Sequence, residues 1–253
     1  MILSKSKNFI YIHIEKCGGT SIEETLTPYL SWNDIIFGGS TFGNDLLNLY
    51  GKQYGYDYML NNALSKHSTA KQIHNYLGND YNNMYKFATV RDPKEIAISM
   101  YYYIKGCVNP FLPNAPIPVK EVIYDKNIKQ EIMMNGLTAY TDDLRDFYFL
   151  QSEIDGSGID GFIYRMIKNN MKEFDSQISK VDEDVELFDL SDIHNGWNKI
   201  LKNVGIDYTD LKMINKSKKP SSTILKPETL ELIHNHFNID YALIPSLTKI
   251  NWV

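Results

Sequence analysis

Apolar, β-favouring residues fill positions 9–14, FIYIHI, and predict a strand. The next periodic stretch, residues 20–30, predicts a helix that starts at Thr20 or Ser21, runs through Glu23 and Glu24 and stops near Pro28. Between 32 and 65 the chain is rich in Gly, Asn and aromatics without a sustained period, which reads as loops with short elements. Residues 68–78, STAKQIHNYLG, have helical spacing and a glycine stop. MYKFATVRDP (84–93) reads as a buried strand ending in Arg-Asp-Pro, followed by an apolar-faced helix over 94–106 that Gly106 ends.

Residues 107–119 carry four prolines and are excluded from regular structure, so they read as a lid or pocket wall. Further helices are predicted near 120–134 and 141–150, a short strand at 159–164, and a helix over 169–181. After VELFDLSD come a helix near 192–204, a polar loop at 215–223 and a final helix near 227–238. No internal repeat or linker divides the chain. The alternation of strands and helices predicts one α/β domain over residues 1–253, with a central, mainly parallel sheet flanked by helices.

Composition narrows the classes. With 43% hydrophobic and 23% charged residues the chain has the balance of a globular protein. No run approaches the roughly 20 apolar residues of a membrane span, and MILSKSKNFIYIHI lacks the pattern of a secretion signal, so a cytoplasmic location is the expectation. A net charge of −5 argues against nucleic acid as a partner. Cys17 and Cys107 read as free thiols, since a bridge at Cys17 would obstruct the glycine turn it occupies. Arginine, the preferred bidentate partner of phosphate, occurs only as Arg91, Arg145 and Arg165.

Two strand-to-helix junctions have the chemistry of anion sites. At the first, Gly18 and Gly19 let backbone approach an anion, Thr20 and Ser21 add hydroxyls at a helix start, and Lys16 adds a positive charge. At the second, Arg91 closes a strand, Pro93 suits a first helical turn, and Ser99 follows two turns on. One ligand with two anionic ends would bridge them. The nucleotide P-loop requires lysine after its last glycine; Lys16 precedes Gly18 and Gly19, so that pattern fails.

HIEKCGGTSIEETL resembles the 5′-phosphosulfate loop of the sulfotransferases that use 3′-phosphoadenosine 5′-phosphosulfate (PAPS), in the branch of carbohydrate-type and bacterial enzymes. FATVRDPKEIAISMYYY is similar to the 3′-phosphate motif of the same family, and the two stand in the family's order, about 75 residues apart. Weaker echoes in KHSTAKQI, FIYRMIKNNMKEFDSQI and INKSKKPSST extend the resemblance over most of the chain.

The resemblance implies a P-loop-like sulfotransferase fold and a metal-free transfer of a sulfuryl group from PAPS to a hydroxyl or amine. It assigns the phosphosulfate to Lys16, Cys17, Gly18, Gly19, Thr20 and Ser21, and the 3′-phosphate to Arg91 and Ser99. Lys16 would stabilise the leaving oxygen. His67 is the first choice of base and Glu15, which replaces the family's usual proline, the second. Lys94 and Glu95 stand where the family often has a basic residue, which leaves more of the 3′-phosphate grip to Arg91.

Other polar residues read as structural. His13 is expected to face the core, and Arg165 lacks the acidic neighbour seen in the family. The histidines of HNHF (234–237), at i and i+2, point to different helix faces and do not form a metal pair. DEDVE (182–186) reads as a solvated turn, and the tyrosines 101–103 as core with one available to line the donor site.

The loops at 32–66 and 107–119 are the expected acceptor-site walls. Trp32, Asp34, Phe37, Phe42, Asp45, Tyr54, Tyr56, Asp57 and Tyr58 suit a small neutral or cationic acceptor better than a polysaccharide. A non-catalytic nucleotide-binding module and a P-loop-type kinase are the alternatives. Acceptor identity, O- or N-transfer and oligomeric state are left open by the sequence.

Overall fold

The run from Lys86 to Val90 is buried at every position, as in a strand covered on both faces. The computed structural model describes residues 1–31, 34–36, 64–108, 121–124, 138–141, 143–214, 220 and 222–244. In chain order the elements are β1 (Ile2–Ser4), β2 (Phe9–Ile12), α1 (Gly19–Leu26), β3 (Ile35–Ile36), α2 (Ala70–Leu77), β4 (Tyr85–Val90) and α3 (Pro93–Val108). Then come β5 (Glu121–Tyr124), β6 (Thr138–Thr141), α4 (Leu144–Ile154), α5 (Gly158–Lys168), β7 (Glu186–Asp189), α6 (Ile193–Asn203), α7 (Pro227–His236) and α8 (Asn238–Leu243). The chain divides into two compact units, residues 1–92, 176–216 and 239–253 in the first and 93–175 and 217–238 in the second.

The first unit is an α/β layer structure on a five-stranded sheet of order β3-β1-β2-β4-β7. β2, β4 and β7 run parallel, whereas β1 is antiparallel to both β2 and β3. Four of the five strands therefore run the same way, as expected of a mainly parallel sheet, and the reversal of β1 makes it mixed. Its cause is local: a turn of residues 5–8, with Asn8 at φ 56°, joins β1 to β2, and a connection this short permits only antiparallel pairing. On one face Phe9, Tyr11, Phe87 and Phe188 pack with Ile22 and Leu26 of α1 and with Ile193, Trp197, Ile200 and Leu201 of α6. Each such large side chain contributes about 1.5–3 kcal/mol through burial.

The second unit centres on aromatic contacts among Tyr101 of α3, Phe149 of α4 and Phe162 of α5, with ring centroids 5.4–6.5 Å apart. β5 and β6 form a separate parallel pair. Arg165 ties α5 to α4 and to the turn between them, bonding to Ser152 Oγ at 3.0 Å, to Ser157 Oγ at 3.2 Å and to Asp155.

Several predicted elements differ. Residues 159–164 lie in helix α5, because Phe162, Ile163, Met166 and Ile167 form a buried helical stripe. Gly106 lies inside α3, which runs on to Val108. The predicted helix at 120–134 opens as strand β5, and residues 125–134 lie outside the described residues. Residues 169–181 form only two single 3₁₀ turns, Lys172–Phe174 and Ile178–Lys180. Thr69 and Gln72 form a reciprocal capping box that starts α2, and Gly78 ends it as expected. Among the described residues no helix is long and apolar enough to cross a membrane.

Candidate functional site

β2 and β4 are parallel neighbours in register from Phe9↔Tyr85 to Ile12↔Ala88, so the turns that leave them open at one edge of the sheet. In the first turn both Lys16 (φ 59°) and Gly18 (φ 81°) are left-handed. Gly18 offers α1 no side-chain cap, so the first N–H groups of that helix face the turn, the usual setting of an anion site. A Cβ on Gly18 would lie 2.6 Å from Leu190 Cδ1, and one on Gly19 would lie 2.3 Å from Cε1 and Nε2 of the His13 ring. Glycine at position 19 is thus demanded from below by packing.

His13 is buried, as expected of a core histidine, and its Nδ1–H donates to Glu23 Oε1 at 2.6 Å. Burial pushes the imidazole down to about 3, against the pull of Glu23, and keeps the ring neutral at pH 7. Glu23 is fully buried; burial alone would raise its carboxyl, but the His13 hydrogen bond and the Met1 amine, which also bonds Oε1, hold it at about 2. Its other oxygen has no hydrogen-bond partner, with Lys66 Nζ 3.9 Å away.

Cys17 is buried and unbridged, and burial raises its thiol far out of the reactive range. Its carbonyl accepts from Thr89 Oγ1 at 2.7 Å, and Thr89 in turn is 3.0 Å from the Tyr11 hydroxyl, which pins the turn to β2 and β4. The Ser21 hydroxyl accepts from Ile214 N–H at 3.1 Å and donates to Ile214 carbonyl at 3.3 Å, so it anchors the segment before residue 215. Thr20 is half-buried at the start of α1.

Arg91 reaches back to the first turn: its Nη1 donates to Lys16 carbonyl oxygen at 3.2 Å. Its backbone is clamped by the buried Gln177 side chain, whose Oε1 accepts Arg91 N–H at 2.9 Å and whose Nε2 donates to Arg91 carbonyl at 2.8 Å. The Cys17 thiol also meets Gln177 Oε1, at 3.4 Å, and the Gln177 N–H is held by buried Asp240 at 3.0 Å. Ser99, the other predicted 3′-phosphate ligand, is buried on α3 in the second unit.

His67 stands over His13, its ring edge-on at 4.8 Å between centroids. Its Nδ1 is 3.1 Å from His13 carbonyl oxygen and 3.6 Å from Glu15 Oε1. With a carbonyl as partner, Nδ1 carries the proton and Nε2 is the basic nitrogen. Burial lowers His67 from the ordinary histidine value, with Glu15 opposing, so the imidazole is a neutral proton acceptor at pH 7.

The sequence pattern therefore draws Lys16, the glycines, Arg91, His67 and Glu15 to one region. It gave no sign of Gln177, whose partners lie 86 and 160 residues away. Glu23 did leave a signal: it shares with Gly19, Ile22 and Leu26 the stripe of α1 that is buried. Asp34 ties β1 to the chain after α1, accepting from Ser4, Ser6 and Ser31, so its carboxylate is engaged in structure. The remaining aromatic and acidic candidates of 32–58, and residues 109–119 of the proposed lid, lie outside the described residues.

His236 Nε2 bonds the carbonyl of Phe174 at 2.8 Å. Among the described residues no group of three or more His, Cys, Asp or Glu is placed to hold a metal ion. Against known proteins, no family model, curated sequence or solved structure matches this chain.

Proposed function

We propose that the protein is a sulfotransferase that moves the sulfuryl group of PAPS to a hydroxyl or amine of a small neutral or cationic acceptor, on a P-loop-like sulfotransferase fold. The observation that carries this reading is the meeting of the two turns, with the Arg91 guanidinium on the Lys16 carbonyl beside an uncapped helix start. A ligand with phosphate groups at both ends of a ribose suits that pairing, because backbone N–H groups and Lys16 would take one anion and a planar guanidinium the other.

Sulfuryl transfer needs position and electrostatics more than covalent help from the protein. Lys16 supplies positive charge at the leaving phosphate oxygen, and the left-handed turn with Thr20 holds the phosphate. Arg91, fixed through its backbone by Gln177, selects the 3′-phosphate that separates this donor from ATP. Nε2 of His67 takes the acceptor's proton as its oxygen or nitrogen bonds to sulfur. The electron pair of the broken sulfur–oxygen bond leaves with the phosphate.

Calorimetric titration with adenosine 3′,5′-bisphosphate, in EDTA and with ATP as control, tests the donor. The expected result is metal-independent binding that exceeds that of ATP and weakens roughly 10- to 100-fold in Arg91→Ala, the loss of charge-assisted hydrogen bonds. No binding, or an ATP preference that needs Mg²⁺, overturns the reading.

A further inference from the structure

We infer that Glu15 is the positioning carboxylate of His67 and not a rival base, so that the two side chains form one carboxylate–histidine dyad at the edge of the Lys16 turn. The inference rests on the sulfotransferase reading of the site for its chemistry, and on geometry for the pairing itself. Glu15 Oε1 is 3.6 Å from His67 Nδ1, on the side of the ring that already faces His13 carbonyl oxygen at 3.1 Å. Both acceptors therefore address the same nitrogen, and Nε2 is left as the atom that gains a proton.

Three constraints fix the ring. The carbonyl of His13 sets its tautomer, the His13 ring meets it edge-on at 4.8 Å, and Glu15 sets the charge it faces. His13 is itself immobilised between Glu23 and the Cα of Gly19. The second carboxylate of the cluster, Glu23, is fully buried and bonds His13 and the Met1 amine, so it serves the layer below. Among the described residues the groups that bear on His67 are Glu15, the His13 carbonyl, Lys66 and the Met1 amine, while Glu23 meets Lys66, His13 and Met1 in the layer below.

A carboxylate beside an anion-binding turn repels the ligand unless it has another task. Here the task is to stabilise the imidazolium that forms when the acceptor's proton moves to Nε2. Removing the carboxylate leaves burial, Lys66 and the Met1 amine, which lower the proton affinity of His67, opposed by the His13 carbonyl.

The test is an NMR titration of the histidine rings in the ligand-free full chain, for wild type, Glu15→Gln and Glu15→Asp. The expected result is a roughly tenfold lower proton affinity of His67 in Glu15→Gln, partial recovery in Glu15→Asp, and unchanged His13 signals that report an intact layer beneath. In turnover, the acidic limb of the pH profile moves to lower pH by the same factor. An unchanged His67 titration in Glu15→Gln overturns the dyad. If turnover is then lost as well, Glu15 is the base. The ring titration needs no nucleotide, so failure of adenosine 3′,5′-bisphosphate to bind removes the donor reading while the dyad is still decided by NMR.

Discussion

The two strand-to-helix junctions at the sheet edge achieve the same opening by opposite means. After β2 the chain makes its turn from backbone: two left-handed residues, a glycine under Leu190, and a glycine into which a histidine ring is packed. After β4 there is no such turn; one long side chain, Arg91, spans back to the first junction while an amide from residue 177 grips its backbone. The first is shaped by missing side chains and supported by a buried ionisable pair. The second is shaped by a side chain and gripped by an amide that does not titrate, itself held by Asp240. Conditions or substitutions that act on the pair should therefore open one junction before the other.

The largest effect is expected from Glu23→Ala. The substitution leaves the His13 Nδ1–H and the Met1 amine without their buried acceptor and opens space beneath Gly19. Each buried donor left without its acceptor costs about 1–3 kcal/mol, read as a lower urea midpoint at unchanged slope. A loss under about 1 kcal/mol would mean that water satisfies the site and that the first junction does not depend on it.

Acid acts on the same support without a mutation. His13 is held at about 3 in the folded chain against an ordinary 6.5, so between these values the unfolded chain binds more protons. Its contribution is complete above about pH 6.5 and falls as pH drops toward 3, with about 2 kcal/mol gone by pH 5. Glu23, held at about 2 against 4.5, adds to the loss below pH 4.5, and His67, also lowered, acts in the same direction as His13. Hydrogen exchange should show the amides after Gly18 opening at a higher pH than those around Arg91. Stability that stays flat from pH 7 to 5 would contradict the assignment of His13 as buried and neutral.

What the sequence made legible was local. A strand, two glycines and a helix start lie within a dozen residues, and so do Arg91 and Pro93, so both junctions can be read along the chain. The supports come from afar: Gln177 reaches Arg91 and Cys17 from across the fold, and Lys66 and His67 stand over residues more than forty positions earlier. Short strands escaped for a different reason. β1 and β3, of three and two residues, are too brief to show a period, and they exist because β2 offers β1 a partner and β1 in turn offers one to β3. In α5 the glycines at 158 and 161 obscured a helical stripe that its apolar residues spell out.

Ser21 gives the smallest effect and the finest division within the first junction. By resemblance it is an anion ligand, yet in the structure its hydroxyl makes two hydrogen bonds with the backbone of Ile214, and its N–H bonds the carbonyl of Gly18 at 3.0 Å. Ser21→Ala should then lower stability by about 1 kcal/mol, the net worth of such bonds, and loosen the chain before residue 215. Thr20, half-buried with no cap to make, should show the reverse balance: little change in unfolding and a larger loss of adenosine 3′,5′-bisphosphate affinity. Paired urea and calorimetric measurements on the two variants separate the roles. Equal losses of affinity in both would return Ser21 to the anion site and make its bond to Ile214 an alternative that the ligand displaces.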